Sequence, residues 1–197
     1  CYGHGRGFFQ RRHPDLYKKE SANPENFLVL EKQDKWVSHV GTFPIKLKLG
    51  PSELMCGGIG GVATLPEERG QGYMASLMKH SIKRMEEKGW PLSVLWGDRH
   101  RYRRFGYESC GIVYHLRITQ KSLELNEVKP AYVEEVDPFD EQAVRAVEEF
   151  YGSLDYCTHR PNLRMKLARP GLRLFLGAEG YLISLKEKSG DLEISEV

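Results

Sequence analysis

The apolar residues of this chain recur with two different periods. Ile59, Val62, Ala63 and Leu65 make a short apolar segment that ends at Pro66, and after a glycine-containing stretch Met74, Leu77, Met78, Ile82 and Met85 return at helical intervals. The first run reads as a strand and the second as one face of a helix over 72–88, about 25 Å long at about 1.5 Å per residue. Lys79, Lys83, Arg84, Glu86 and Glu87 fall on the opposite face, and Gly89 and Pro91 stop the helix. Upstream, 26–32 and 35–50 are rich in β-branched and aromatic residues, and Ile45, Lys46, Leu47, Lys48 and Leu49 alternate strictly. With a turn at Gly50, Pro51 and Ser52, these predict successive antiparallel strands, closed by a strand over 54–65. The segment 90–96 reads as a buried strand, parallel to the one before the glycines because a helix makes the crossover.

Further on, 112–120 alternates and is expected to finish the first sheet, and 121–130 is polar and reads as a connector. Beyond it the order strand (131–136), helix (141–151), helix (162–167), strand (172–176) and strand (180–185) is expected, with Ala143, Val144, Val147 and Phe150 on one face of the first of these helices.

Between the apolar strand and the helix lie Arg69, Gly70, Gln71 and Gly72, followed by Tyr73, Met74 and Ala75. Glycines at 70 and 72 keep side chains away from the backbone, and the first turn of the helix carries N–H groups without intrahelical partners. Such a terminus binds anions. No Gly-Lys-Ser/Thr follows, so this is not a P-loop, and the full dinucleotide fingerprint is absent. A Gly-x-Gly before a helix can equally be a tight turn. The surrounding charge favours the anion site: residues 66–104 hold nine Lys/Arg against five Asp/Glu, in a chain whose formal net charge is only +2.

The block from Arg69 to Met74 resembles motif A of the GNAT superfamily of N-acetyltransferases, Arg/Gln-x-x-Gly-x-Gly/Ala, except that Met74 stands where a small residue is usual. The wider run 57–72, followed by Gly97, Asp98 and then Tyr102-Arg-Arg-Phe-Gly-Tyr107, is similar to the enhanced-intracellular-survival branch, which tolerates a large residue there. The resemblance covers 1–120 well, is most specific over 57–107, and is looser beyond 130. It implies an α/β (α+β) fold with a mixed, mostly antiparallel sheet and a splayed parallel strand pair. It implies a domain over 1–120 whose first strand and most of whose first helix precede Cys1, a connector over 121–130, and the opening half of a second unit over 131–197 without its own glycine loop.

The same resemblance implies acetyl-CoA as co-substrate. Its pantetheine arm would pair with Val62, Ala63 and Thr64, its diphosphate would sit on 69–75, and Gly97 and Asp98 would form the opposite wall. Tyr102 would be the general acid, since a phenol can protonate a thiolate as it leaves. For the base the residues leave Asp98, Glu53 and His39 open, with water as the fallback. The acceptor is expected to be an amine on a small molecule or a lysine side chain. A module that binds CoA or a partner protein without turnover is the alternative, and homo-oligomers are compatible with the branch resembled.

Composition adds exclusions. Hydrophobic residues make up 40% and charged residues 28%, ordinary for a globular protein. No apolar run of about 18 residues and no secretory leader is evident, so a cytoplasmic location without membrane partners is expected. Net charge gives no concentrated basic face for nucleic acid, and the basic run 99–107 otherwise reads as a solvated helix. Cys1, Cys56, Cys110 and Cys157 are too scattered for zinc spacing or a disulfide framework, so no metal is expected; His4, among glycines, reads as a loop residue.

Overall fold

A computed structural model describes residues 7–20, 22–111, 119–127, 132–186 and 192–196. Two short helices, α1 (Phe8–Arg12) and α2 (Pro14–Tyr17), precede β1 (Phe27–Lys32), β2 (Lys35–Leu49) and β3 (Ser52–Thr64). Next, α3 (Tyr73–Glu87) crosses to β4 (Leu92–Leu95), and α4 (Arg99–Tyr102) follows. The sheet order is β1-β2-β3-β4, antiparallel except for the β3–β4 pair, which is parallel. This is the mixed sheet with one parallel pair that the sequence predicted. The alternation at 45–49 becomes register: Ile45 lies opposite Cys56 and Leu47 opposite Leu54, with Gly50 at φ 59° in the turn.

The face of α3 that carries Leu77, Met78 and Met85 is buried against Val40 and Ile59 of the sheet and against Tyr102. Removing each such side chain from water stabilises the fold by roughly 1.5–3 kcal/mol. The helix comes close because Gly57 of β3 has no side chain: a Cβ there would lie 1.9 Å from Met85 Sδ. On the opposite face of the sheet, Cβ atoms at Gly58 and Gly60 would crowd Ile45 and Phe43. Alternate glycines therefore serve two purposes, one admitting α3 and two leaving the far face bare.

Strand β4 pairs with β3 only where Leu92–Leu95 meet Cys56, Gly57, Gly58 and Ile59. Beyond Ile59, among the described residues, β3 pairs with β2 alone. Between the pairs Gly41–Gly60 and His39–Ala63 the register shifts, so that Val40 faces both Gly61 and Val62. This is a β-bulge, and Gly61 takes the left-handed conformation it needs (φ 60°). A bulge bends its strand, and the bend coincides with the end of β3–β4 pairing.

The C-terminal half comprises α5 (Gln120–Leu125), β5 (Glu134–Val136), α6 (Glu141–Ser153), β6 (Tyr156–Thr158), α7 (Leu163–Leu167), β7 (Leu172–Leu176), β8 (Tyr181–Lys186) and β9 (Leu192–Glu196). A second sheet, β5-β7-β8-β9, packs through Leu174 and Ile183 on Val144 and Val147 of α6 and Leu163 and Leu167 of α7. Four details depart from the sequence reading. Of the strand expected over 112–120, residues 112–118 lie outside the described residues, whereas Thr119 and Gln120 cap and open α5. That helix sits inside the expected connector, nucleated by reciprocal Thr119 and Ser122 hydrogen bonds. The strand expected to be buried over 90–96 is shorter and half-exposed, because among the described residues only β3 flanks it. Finally β6, which the sequence did not announce, pairs antiparallel with Leu47, Lys48 and Leu49 of β2, so the C-terminal half is hydrogen-bonded into the first sheet.

If Gly57 is what admits α3, Gly57→Ala should lower stability to chemical denaturation by about 1–3 kcal/mol, the usual cost of overpacking. Adding Met85→Ala should recover part of that loss by making room. Strictly additive effects in the double-mutant cycle would show that the two positions do not compete for the same space.

Candidate active site

At the open end of the parted strands lies a cleft of about 600 Å³. Val62, Ala63 and Thr64 of β3 form one wall, and the chain from Arg69 into the first turn of α3 forms the other. Gly70 and Gly72 take left-handed φ values of 81° and 78°, and a Cβ on either would meet nothing within 4 Å. The ligand-free chain thus needs these glycines for their torsion, while their bare faces leave the mouth of the cleft open. Gly72 is the N-cap of α3 and no side chain caps it; the first-turn N–H groups are left for solvent or an anion.

The cleft is cationic. Arg69, Arg101 and Arg104 line it, and among the described residues none of the three makes a salt bridge. The carboxylate in the wall, Glu68, is paired with Lys32 at 3.0 Å. Arg104 is held over the Phe105 ring at 4.9 Å, with Nη2 4.0 Å from Met74 Sδ.

Of the expected donor-site residues, Val62, Ala63, Thr64, Arg69, Gly70, Gly72, Tyr73, Met74 and Ala75 come together around the cleft. Gln71, Gly97, Asp98 and the expected acid Tyr102 do not line it. Asp98 accepts a hydrogen bond from the His100 backbone N–H at 2.8 Å and caps α4. Gly97 backs onto Tyr102, where a Cβ would lie 2.5 Å from the ring. Arg101, Arg104 and Glu68 are cleft residues that the sequence reading did not single out, although the basic surplus over 66–104 was their signal.

Tyr102 is buried between these elements at 6% exposure, its ring edge-on to Tyr107 at 6.3 Å. Tyr107 in turn is hydrogen-bonded to Ser93 Oγ at 2.6 Å, and Ser93 donates to the Gly57 carbonyl at 2.7 Å. Burial raises the pKa of Tyr102 above its usual 10, opposed by the neighbouring Arg101 guanidinium. The phenol therefore stays protonated at neutral pH.

A second cavity, of about 490 Å³, lies on the bare face of the sheet. Its floor is Gly58, Ile59, Gly60 and Gly61 of β3 with the end of β4, and its aromatic wall is Phe9, Tyr17 and Phe43. Tyr17 stacks on Phe9 at 5.1 Å and meets Phe43 edge-on at 5.4 Å. Burial, with Asp15 adding, pushes the Tyr17 phenol up to about 12. On β3 its lining reaches Gly61 and that of the cationic cleft begins at Val62, so adjacent residues of one strand line the two cavities.

The three side chains left open as bases fall elsewhere. Glu53 is ion-paired with Lys46, His39 sits by Phe27 and Trp36, and Asp98 is the cap just described. In their place the structure brings His13 and Asp15 to the aromatic cavity. Desolvation, with Arg12, Arg169 and Lys166 nearby, holds His13 below its ordinary 6.5 against the opposing pull of Asp15. Among the described residues no group of three or more His, Cys, Asp or Glu side chains is placed to hold a metal, and no helix is long and apolar enough to cross a membrane.

Residues 4–110, more than half of the chain, match the model of the acetyltransferase (GNAT) domain family. The chain belongs to that family. Solved structures agree on the fold. A GCN5-related N-acetyltransferase from Kribbella flavida superposes with a TM-score of 0.66 at 21% identity, over 87% of this chain and 45% of that one. A protein of unknown function from Enterococcus faecalis V583, described as a probable N-acyltransferase, gives 0.64 at 20% over 86% and 47%. Eis1 from Mycobacterium abscessus gives 0.60 at 12% over 87% and 49%. The chain thus spans about half the length of these structures. No curated protein sequence matches it.

His13 and His39, the latter also held below 6.5 by burial, give a pH signature. Between pH 6.5 and their folded values the unfolded chain binds more protons than the folded one, so stability is complete above about 6.5 and falls as pH falls through that window. Lowered surface carboxylates, Glu53 by its hydrogen-bonded pairing with Lys46 and Glu67 by a backbone hydrogen bond and then Lys35, act below 4.5 and do not overlap it. Thermal unfolding should show a smaller loss between pH 7.5 and 5.5 for a His13→Gln/His39→Gln double variant than for the wild type; equal losses would assign the pH sensitivity to other groups.

Proposed function

We propose that the protein is an acetyl-CoA-dependent N-acetyltransferase that acetylates a primary amine, on a small molecule or a lysine side chain, by direct attack. The observation that carries this reading is the parted strand pair with a cationic cleft on one side, an aromatic cavity on the other, and adjacent residues of β3 at their junction. Acetyl-CoA supplies an acetyl thioester and carries a diphosphate. The residues present fit it: first-turn N–H groups of α3 and three arginines without salt bridges suit the diphosphate, and the segment of β3 that β4 has left suits an extended amide-bearing arm. Within the family, the resemblance of the run 97–107 supports our reading of the chain as one of the enhanced-intracellular-survival branch, and use of acetyl-CoA suits a cytoplasmic location.

The chain's own groups then divide the work. A backbone N–H at 62–64 donates to the charge that develops on the thioester oxygen. The amine, held in the aromatic cavity, attacks the carbonyl carbon; the C–N bond forms and the C–S bond breaks. Tyr102 gives its proton to the departing sulfur, whose conjugate thiol has a pKa of about 8.5, and recovers one from solvent. His13, neutral at pH 7, takes the proton that the nitrogen sheds, directly or through a water. This replaces the carboxylates and His39 considered from sequence alone, because His13, with Asp15 and His159, lines the cavity where the amine would be, and those residues do not.

Thiol release from acetyl-CoA, followed with a panel of amines, tests the reading. Tyr102→Phe should lower it by about tenfold or more with CoA affinity nearly unchanged; undiminished turnover would remove Tyr102 from the role. Gly72→Glu, which sets bulk and negative charge at the helix terminus, should abolish CoA binding in calorimetry, and unaltered affinity would refute the cleft. A wild-type protein that binds CoA yet acetylates no amine would be a binding module.

A further inference from the structure

The wall of the cationic cleft contains a carboxylate, Glu68, at the end of the turn Pro66–Glu68 and one position before Arg69. Left bare, it would repel the diphosphate that the transferase reading above, on which this inference rests, assigns to the cleft. Its charge is answered from a distant part of the chain. Lys32, at the end of β1, places Nζ 3.1 and 3.0 Å from the two Glu68 carboxylate oxygens. The Glu68 side chain is 19% exposed, so water screens it less than a fully exposed carboxylate.

The hairpin is built to deliver that lysine. Lys32 and Lys35 are the last cross-strand pair of β1 and β2, and between them Gln33 and Asp34 turn the chain at left-handed φ values of 50° and 57°. Such a two-residue turn matches the twist of its strands. Lysines directly opposite each other repel, and each takes its own carboxylate: Lys35 Nζ lies 3.1 Å from Glu67 Oε1. Backbone sets the alignment, since the Leu65 N–H donates to the Val37 carbonyl at 2.9 Å and carries β2 alongside the chain up to Pro66. Lys32 also registers the far end of the loop. Its ammonium is held above its ordinary 10.5 by Glu68 first and then by Tyr73, the first residue of α3.

We propose that Lys32 is a positioning residue of the donor site. By pairing with Glu68 it neutralises a carboxylate in the wall where the diphosphate binds and keeps that carboxylate engaged with β1. Lys32 is itself outside the cleft lining and acts through Glu68. Glu67 is also outside it, so the Lys35–Glu67 pair ties the same hairpin tip to the same turn without facing the ligand.

Calorimetry on the whole chain with CoA and with inorganic pyrophosphate tests this. Lys32→Gln should weaken both ligands by about threefold to tenfold, the effect of one uncovered charge at partly screened distance. In thiol release the KM of acetyl-CoA should rise likewise, while that of acetyl-pantetheine, which has no diphosphate, should not move. Lys32→Arg should keep wild-type affinity, and added salt should shrink the loss in Lys32→Gln. In a Glu68→Gln background Lys32→Gln should cost nothing, and Lys35→Gln should change affinity by less than about twofold. Equal affinities in wild type and Lys32→Gln overturn the proposal. So does a loss that persists without the Glu68 carboxylate, or one that Lys35→Gln reproduces, because the hairpin tip would then only hold the loop. Pyrophosphate separates the two levels: pyrophosphate binding that depends on Lys32, beside no binding of CoA, sinks the transferase reading and keeps the inference. CoA binding indifferent to Lys32 does the reverse, and a wild-type protein that takes up neither ligand overturns both.

Discussion

The structure depends on β3 being released from β4 after four residues of parallel pairing. Adjacent strands normally zip as far as both extend, since every unpaired N–H and C=O near the interior is costly. Here β3 continues for several residues beyond Ile59, and among the described residues the neighbour it keeps is β2. The bulge at Gly61 and Val62 supplies the bend, and a glycine in the left-handed region makes the bend cheap. What would be a defect in an ordinary sheet becomes a gap lined by backbone, with hydrogen-bonding capacity that a linear amide-bearing ligand can use.

Each neighbouring element then has a task set by that gap. Helix α3 must start at its rim, and the glycines at 70 and 72 turn the chain sharply enough to aim the helix terminus into the cleft. The helix must also lie close to the sheet, which Gly57 permits and the buried methionines enforce. On the far side, Ser93 and Tyr107 tie β4 back to the Gly57 carbonyl, so that β4 stays in place while β3 leaves it. Tyr102 is seated by the same cluster, packed on Gly97 and Tyr107. The start of α3, Tyr102 and the strand gap thus share one small core, and a change in any of them is felt by the others.

Much of this was legible in the sequence because it lies in local periodicity and glycine chemistry. The alternation at 45–49, the helical spacing from Met74 to Met85 and the Arg69 to Gly72 turn fixed the strands, the helix and the loop between them to within a residue or two. Arg101 and Arg104 were visible only as surplus charge, since a solvated helix and a cleft wall look alike in a linear text. The bulge was not legible: Gly61 is one glycine among several, and its partner Val40 is supplied by tertiary register. The aromatic cavity was the least legible, because His13, Asp15, Tyr17, Phe43 and Arg160 are scattered through the sequence and meet only in the fold. Strand β6 escaped for a related reason. Three residues, Tyr156, Cys157 and Thr158, carry no pattern of their own and become a strand because β2 is longer than β1 and leaves an edge to fill.

That borrowed edge changes how the two halves relate. A second unit with its own four-stranded sheet and its own core could have been an independent appendage. Pairing of β6 with 47–49 fixes it instead to the strand whose preceding residues, Phe43 and Ile45, wall the aromatic cavity. The hydrogen bonds are few, but they set direction: the chain leaving β6 has to pass the cavity before it can enter α7. The cationic cleft is therefore built from one contiguous stretch of sequence, 62–104, while the aromatic cavity is closed by residues more than a hundred positions away. The cationic cleft can thus keep its lining in the contiguous stretch, while the rim of the aromatic cavity can be altered from the distant one without disturbing the gap between the strands.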